Sequence, residues 1–309
     1  MPLYLSEAEV ARLLTPGEAF AAVEASFAHL VAGDVATVPR QRLPIPDGDF
    51  AVMACVDRAL GFAAVKTFAW TSAGTPFVVV LFALEVARVE AVLEADRLGQ
   101  LRTAAASAVA ATRLARAGAG SLGVIGCGRQ AASHVAAIRD AMSGIEKTAV
   151  YCRDPDRLER FCAEHGCEPA ESSRDAAECD VVVTATTSRD PVLRGEWLRP
   201  GAFVCAVGAN DPSARELDNV VLERATFVCT DSRDVAQLEA GDMIEPVERG
   251  ALDWLEVHEL QDVVAGELTG RAADDDIVLF KSNGIPAWDV AVAARVVELA
   301  REQNAGRDL

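Results

Sequence analysis

The apolar positions change period along the chain. Near its start, Ser6-Glu7-Ala8-Glu9 and Thr15-Pro16-Gly17-Glu18 each have the form of a capping box, the second with Pro at the first helical position. From Glu18 onward Phe20, Val23, Phe27, Leu30 and Val31 fall on one helical face until Gly33 ends the pattern. A stretch punctuated by Pro39, Pro44 and Pro46 follows. After it come strand-like runs at 50–56, 61–70, 77–84 and 89–93, separated by short turns, which predict an antiparallel meander. An Ala-rich segment at about 98–117 predicts a helix stopped by Gly118 and Gly120.

From Ser121 the pattern becomes one of short apolar strands alternating with helical stretches, the sequence form of βαβ units on a parallel sheet. The strands are predicted at 122–125, 148–152, 181–185, 203–207, 227–230 and 277–280. A last helix, from 287 to about 303, can pack back on the first domain. The fold class is therefore α/β, with a doubly wound Rossmann domain over 118–286. An α+β substrate-binding and dimerisation domain spans 1–117 and is completed by the C-terminal helix, 287–309.

Composition narrows the function classes. With 309 residues, 51% hydrophobic and 25% charged, the chain can bury cores for two domains, and disorder is excluded as a reading. The net charge of −18 repels phosphate backbones and anionic membranes, so neither nucleic acid nor membrane is an expected partner. No apolar run reaches the length of a membrane span and the start lacks signal-peptide regions, so a cytoplasmic location is expected. The eight Cys are scattered, and Cys205 and Cys229 lie inside apolar runs, which favours buried reduced thiols over disulfides. The four His show no ligand-like clustering, and no metal site is expected.

The chemistry concentrates in two places. The strand at 122–125 runs into Gly126-Cys127-Gly128-Arg129-Gln130-Ala131, which matches the dinucleotide fingerprint where strand must become helix. Gly126 permits the tight turn, Gly128 lets a pyrophosphate approach the backbone, and Ala131 keeps the helix close to the sheet. At the end of the second strand an acid normally reads the ribose of NAD. Cys152 stands there with Arg153 beside it, which favours NADP(H), while Asp154 keeps NAD(H) possible. In the first domain three cations sit in or beside apolar segments: Arg40 after Pro39, Lys66 within Ala63-Ala64-Val65-Lys66-Thr67-Phe68, and Arg102 in Leu101-Arg102-Thr103-Ala104. Each needs a partner. A substrate carboxylate would serve, and so would a structural ion pair.

In these motifs the chain resembles the ornithine cyclodeaminase and mu-crystallin family over essentially its whole length. The resemblance rests on Pro39-Arg40, the Lys66 strand, Leu101-Arg102-Thr103-Ala104-Ala105 and the fingerprint, and continues through Thr184-Ala185-Thr186-Thr187-Ser188 and Val207-Gly208-Ala209-Asn210. Arg215-Glu216-Leu217-Asp218 and Phe280-Lys281-Ser282-Asn283-Gly284 complete it. It implies a homodimer joined through the first domain, a small amino- or imino-acid substrate, a carboxylate held by Arg40, Lys66 and Arg102, and a nicotinamide end lined by Thr186, Thr187 and Ser282-Asn283-Gly284. The family's cyclodeaminases carry an Asp where Asn210 stands here, with Asp211 one residue on. An amide can hydrogen-bond but cannot serve as that base, so the departure points to net redox chemistry. The expected activity is NAD(P)H-dependent reduction of α-imino acids or the reverse dehydrogenation. Cyclodeamination with a recycled NAD, and a dinucleotide-binding protein without turnover, are the alternatives. Ala54, Ala69-Trp70 and Gly99 also depart from the family's usual residues around the substrate.

Overall fold

The two-residue alternation around Lys66 becomes a sheet with one buried and one half-exposed face. In the computed structural model, which describes residues 1–309, the first unit comprises Met1–Ala105 and Gly284–Leu309, and the second Ala106–Asn283. The first contains β1 (Leu3–Leu5), α1 (Glu7–Leu13), α2 (Pro16–Val31), β2 (Val35–Ile45), β3 (Gly48–Asp57), β4 (Phe62–Thr71), β5 (Phe77–Ala83) and β6 (Arg88–Glu94). Helix α3 (Asp96–Leu114) then carries the chain into the second unit. There follow β7 (Ser121–Ile125), α4 (Arg129–Ala141), β8 (Lys147–Tyr151), α5 (Pro155–His165), β9 (Glu168–Pro169), α6 (Ser173–Ala177), β10 (Val181–Thr184) and β11 (Phe203–Ala206). Next come α7 (Asn219–Arg224), β12 (Phe227–Thr230), α8 (Arg233–Glu239), α9 (Gly241–Glu248), β13 (Val257–Glu259), α10 (Leu260–Val264) and β14 (Val278–Lys281). Finally α11 (Pro286–Glu302) and β15 (Arg307–Asp308) return to the first unit. The units divide inside α3, between Ala105 and Ala106, whereas the sequence suggests a junction at the glycines that follow the helix.

In the first unit the meander runs antiparallel from β2 to β6, and the Pro-punctuated stretch is itself a strand. β2 tolerates Pro39 and Pro44 because it is the sheet's edge, where a missing N–H interrupts no further strand, and its register shifts between Val38 and Gln41. At the other side the sheet is no longer purely antiparallel: β1 pairs parallel with β6 and antiparallel with β15. Met53, Lys66, Val79 and Leu93 form one cross-strand row, all at most 4% exposed. Helix α11 packs over that face and against α2, where Trp288 meets Phe27 with ring centroids 6.0 Å apart. The alternating row of Ala54, Val65, Val80 and Val92 points to the opposite face and is only half-buried.

All eight strands of the second sheet are parallel, in the order β13-β12-β14-β11-β10-β7-β8-β9. Strands β10, β11 and β14 are buried along their whole length, which is why they read as continuous apolar runs. Strand order reverses between β7 and β10, and a crevice at the carboxyl ends of strands is expected at such a switch point. Helix α6 packs so closely on β7 that a Cβ at Gly123 would lie 1.7 Å from the Ala176 carbonyl oxygen. No helix is long and apolar enough to cross a membrane.

Candidate active site

Strand alternation puts Lys66 on the core side of the first sheet, where an ammonium has no water. Its Nζ donates to Asp289 Oδ1 at 2.9 Å, and Arg102 Nε donates to the same oxygen at 3.1 Å. Asp289 is 1% exposed and comes from the first turn of α11, Arg102 from α3. Burial pulls the Lys66 ammonium down to about 8, helped by the charge of Arg102 and then Arg40 and opposed by Asp289. Burial pushes the Asp289 carboxyl up, but Arg102 and Lys66 outweigh it and hold it below the usual carboxylate range. Arg40 lies with its guanidinium 6.0 Å from the Phe68 ring, and Lys66 Nζ is 5.6 Å from the ring of Phe77.

The three cations singled out from sequence are thus gathered, and two of them share a structural ion pair. Cations remain in excess over carboxylate, and Arg102 Nη1 is buried without a hydrogen bond. A Cβ at Gly284, where φ is +80°, would fall 2.4 Å from that nitrogen, so this glycine keeps the guanidinium's outer edge uncovered. Gly99 does the same for Lys66: a Cβ there would be 3.3 Å from Nζ. The arrangement suits a small anionic group such as a carboxylate.

In the second unit a cavity of about 490 Å³ opens at the switch point, lined by Gly126, Gly128, Arg153, Thr186 and Thr187 among others. Gly126 has φ of +121°, and a Cβ there would strike the Ala185 carbonyl at 2.4 Å. Gly128 is the N-cap of α4, and no acid occupies that helix's first turn, so no carboxylate side chain opposes an anion at its positive end. A Cβ at Gly128 would meet only Arg157, at 3.8 Å, which leaves room for a pyrophosphate. The residues therefore fit a dinucleotide. Asp154 is the N-cap of α5, its carboxylate accepting from Arg157 N at 3.1 Å. Arg129, Gln130 and Ala131 form the start of α4, and the cavity's lining does not include them or Asn210, Ser282 and Asn283.

Those last residues sit in or beside loops fixed by buried carboxylates: Glu216, quoted in a family motif but given no role from sequence, and Asp242 and Asp231, which the sequence did not mark. Glu216 accepts from Thr184 Oγ1, from the N–H and hydroxyl of Thr186, and from Gly208 N, tying the loops after β10 and β11 together within 2.7–2.9 Å. Burial first, and the charge of Asp242 next, raise the Glu216 carboxyl above its ordinary value. Asp242 accepts from Glu216 N and Leu217 N and pairs with Lys281 at 3.2 Å. Asp231 accepts from Ser282 Oγ and Asn283 N at 3.0 and 2.8 Å. Asp289 was legible in principle, as the one acid in the apolar run Pro286-Ala287-Trp288-Asp289-Val290-Ala291-Val292.

One expectation is corrected. Cys205 and Cys229 are indeed buried free thiols, but Cys127 and Cys152 form a disulfide. Neighbouring parallel strands explain it: Ile125 is in register with Tyr151, so the residues leaving the two strand ends lie side by side, with Cα atoms 5.8 Å apart.

Asp289→Asn keeps the side chain's shape and removes its charge. It should depress the Lys66 pKa further below about 8, read as the pH dependence of acetylation at Lys66 by mass spectrometry. It should also cost roughly 3–5 kcal/mol in denaturant unfolding, because a buried pair loses one partner. An unchanged acetylation profile would show that this carboxylate does not set the charge of Lys66.

Known proteins resemble the chain along nearly its whole length. The model of the ornithine cyclodeaminase/mu-crystallin family matches residues 2–304. Alanine dehydrogenase of Archaeoglobus fulgidus is 33% identical over 98% of this chain and 97% of its own length. The structure of Thermococcus litoralis Δ1-pyrroline-2-carboxylate reductase, in complex with NADH and L-proline, superposes with a TM-score of 0.94 at 30% identity, covering 99% of this chain and 100% of that one. An archaeal alanine dehydrogenase dimer with bound NAD gives 0.93 at 31% identity, covering 100% and 98%. A family model that matches residues 2–304 and a relative 33% identical over 98% of the chain show that the chain belongs to the ornithine cyclodeaminase/mu-crystallin family.

Proposed function

We propose that the protein is an NAD(P)H-dependent oxidoreductase that reduces small α-imino acids, cyclic or formed from an α-keto acid and an amine, to amino acids, and runs the reverse dehydrogenation. The observation that carries this reading is the buried cation cluster, where Lys66 and Arg102 share one acid, Asp289, and Arg40 lies near enough to lower the Lys66 pKa, in a chain of net charge −18. Its relatives named for alanine and for pyrroline-2-carboxylate act on molecules of this class.

A bound nicotinamide supplies or accepts the hydride at the substrate's α-carbon. Lys66, Arg102 and Arg40 hold the carboxylate and so fix the orientation of that carbon. Lys66, with a pKa of about 8, delivers a proton to the imine nitrogen in one direction and takes it back in the other. Asn210 hydrogen-bonds the nitrogen or a water. Asp211, the one carboxylate that could replace a cyclodeaminase's acid, accepts from Ser213 N and Oγ at 2.8 and 2.6 Å and is engaged in its own turn. Gly126, Gly128 and the start of α4 at Arg129, Gln130 and Ala131 cradle the pyrophosphate. Thr186, Thr187, Ser282, Asn283 and Gly284 line the nicotinamide end.

Three tests follow from these roles. With a cyclic imino acid the protein should consume NADPH and form the amino acid, and with ornithine and catalytic NAD or NADP it should release no ammonia. Stoichiometric ammonia and proline would overturn the redox reading. Lys66→Met and Arg102→Leu should each cost about 2–5 kcal/mol in kcat/KM with dinucleotide affinity unchanged. For reduction, kcat/KM should fall as pH rises through about 8, because the ammonium is the required form.

The cofactor preference is for NADP(H), with NAD(H) accepted. Cys152 replaces the ribose acid, Asp154 is engaged as a helix cap, and Arg153 and Arg157 line the cavity. Titration should give tighter binding of NADPH than of NADH, and Arg153→Ala should remove most of the difference. Equal affinities in the unmodified protein would refute the preference.

The protein forms a homodimer through the half-exposed sheet face. The row of Ala54, Val65, Val80 and Val92 is apolar and flanked by Phe50 and Phe82, each 36% exposed, and a second copy would cover it. Sedimentation should give the mass of two chains, and Val65→Asp that of one. A monomeric unmodified protein would reject the interface.

A further inference from the structure

The fingerprint contains a feature that dinucleotide binding does not require. Cys127 occupies the variable position between Gly126 and Gly128, and Cys152 follows β8, where the ribose-reading acid usually stands. Gly126 N donates to Tyr151 O at 2.8 Å, so the glycine turn and the end of β8 leave the sheet together. Both cysteines line the cavity at the switch point. Cys127 is 8% exposed and Cys152 is half-exposed. Cys55, Cys205 and Cys229 differ. Cys205 and Cys229 are fully buried within strands; burial pushes the Cys205 thiol up to about 12, as it does that of Cys55, and raises the Cys229 thiol well above its ordinary value. Such thiols are inert. Cys127 and Cys152 are the pair that a small oxidant can reach through the cavity.

We propose that Cys127 and Cys152 are a reversible thiol–disulfide switch at the adenosine-ribose end of the dinucleotide cradle, the closed disulfide weakening dinucleotide binding and bound dinucleotide shielding the thiols. The proposal rests on the dinucleotide-binding reading above. The crosslink pins the glycine turn to the strand end, at the place where the ribose must settle. It also removes both S–H groups, leaving the ribose two sulfurs that can donate nothing. Because the coupling is reciprocal, whatever affinity the dinucleotide loses on crosslinking, the crosslink loses on dinucleotide binding.

The chemistry is exchange with a low-molecular-weight disulfide, RSSR. One cysteine thiolate attacks RSSR, forming a mixed disulfide and releasing RS⁻. The second thiolate attacks the protein sulfur of that mixed disulfide and releases the other RS⁻. Two protein thiols become one disulfide, RSSR is reduced to two RSH, and an excess of thiol reverses the sequence. The consequence is that an oxidised thiol pool lowers the enzyme's occupancy by NAD(P)H.

The test uses the full-length protein, fully reduced with dithiothreitol or oxidised with glutathione disulfide. Peptide mapping after alkylation should identify a Cys127–Cys152 link. Calorimetric titration with NADPH and with NADH should give at least about tenfold weaker binding to the linked form, restored by dithiothreitol. Cys152→Ser and Cys127→Ser, each compared with itself before and after oxidant, should show no change in affinity. Saturating NADPH should slow formation of the link in the unmodified protein. Absence of the link at any oxidant ratio, or equal affinity of linked and reduced protein, would overturn the switch while leaving the proposed function standing. Reduced protein that binds neither NADPH nor NADH would overturn both.

Discussion

Taking Lys66 and Arg102 out of water would cost several kcal/mol for each ion, and the first unit bears that cost by placing Asp289 between them. The rest of that unit follows from this pairing. Lys66 can lie on the core row with Met53, Val79 and Leu93 only if the helix covering that row brings an acid, and α11 brings it from the far end of the sequence. One carboxylate between two cations, with Arg40 near enough to lower the Lys66 pKa, leaves a buried excess of positive charge. In a chain so acidic overall, that excess is a local positive site set against the long-range field, and the proposed carboxylate binding rests on it.

The second unit applies the same device to its loops. Glu216, Asp242 with Lys281, and Asp231 are buried acids whose acceptor oxygens satisfy backbone N–H groups beyond the carboxyl ends of β10, β11 and β14. Loops at a switch point have no ladder to hold them, and a carboxylate accepting several N–H bonds in a dry environment replaces one. Thr186 is held in this way through both its backbone and its hydroxyl. Precise loops at the strand ends are what a hydride donor's ring needs, since misplacement of reacting atoms by an ångström is costly.

Two substitutions relative to the usual pattern give the site its individual character. Asn210 stands where the resemblance places a base, and Cys152, crosslinked to Cys127, stands where the dinucleotide pattern places the ribose acid. Both are single residues in loops whose backbones are set by neighbours, so the chemistry can change without disturbing the fold.

The sequence by itself determined the class of fold and marked the glycine fingerprint at which a dinucleotide is proposed to bind. Periods of two and 3.6, glycines where a turn must tighten, and apolar strands buried on both faces are local signals, and each acts through residues close in the chain. It also marked Arg40, Lys66 and Arg102, because a cation in an apolar segment is anomalous wherever it is met. Only the tertiary structure decided what those cations meet. Lys66 and Asp289 are 223 residues apart, and nothing near Lys66 in the chain foretells its partner. The same holds for Pro39 and Pro44, acceptable in β2 because that strand is an edge. It holds also for Cys127 and Cys152, which separately read as a loop residue and a missing acid. Their pairing comes from strand register, and register is fixed by the packing of whole strands and not by the residues that it brings together.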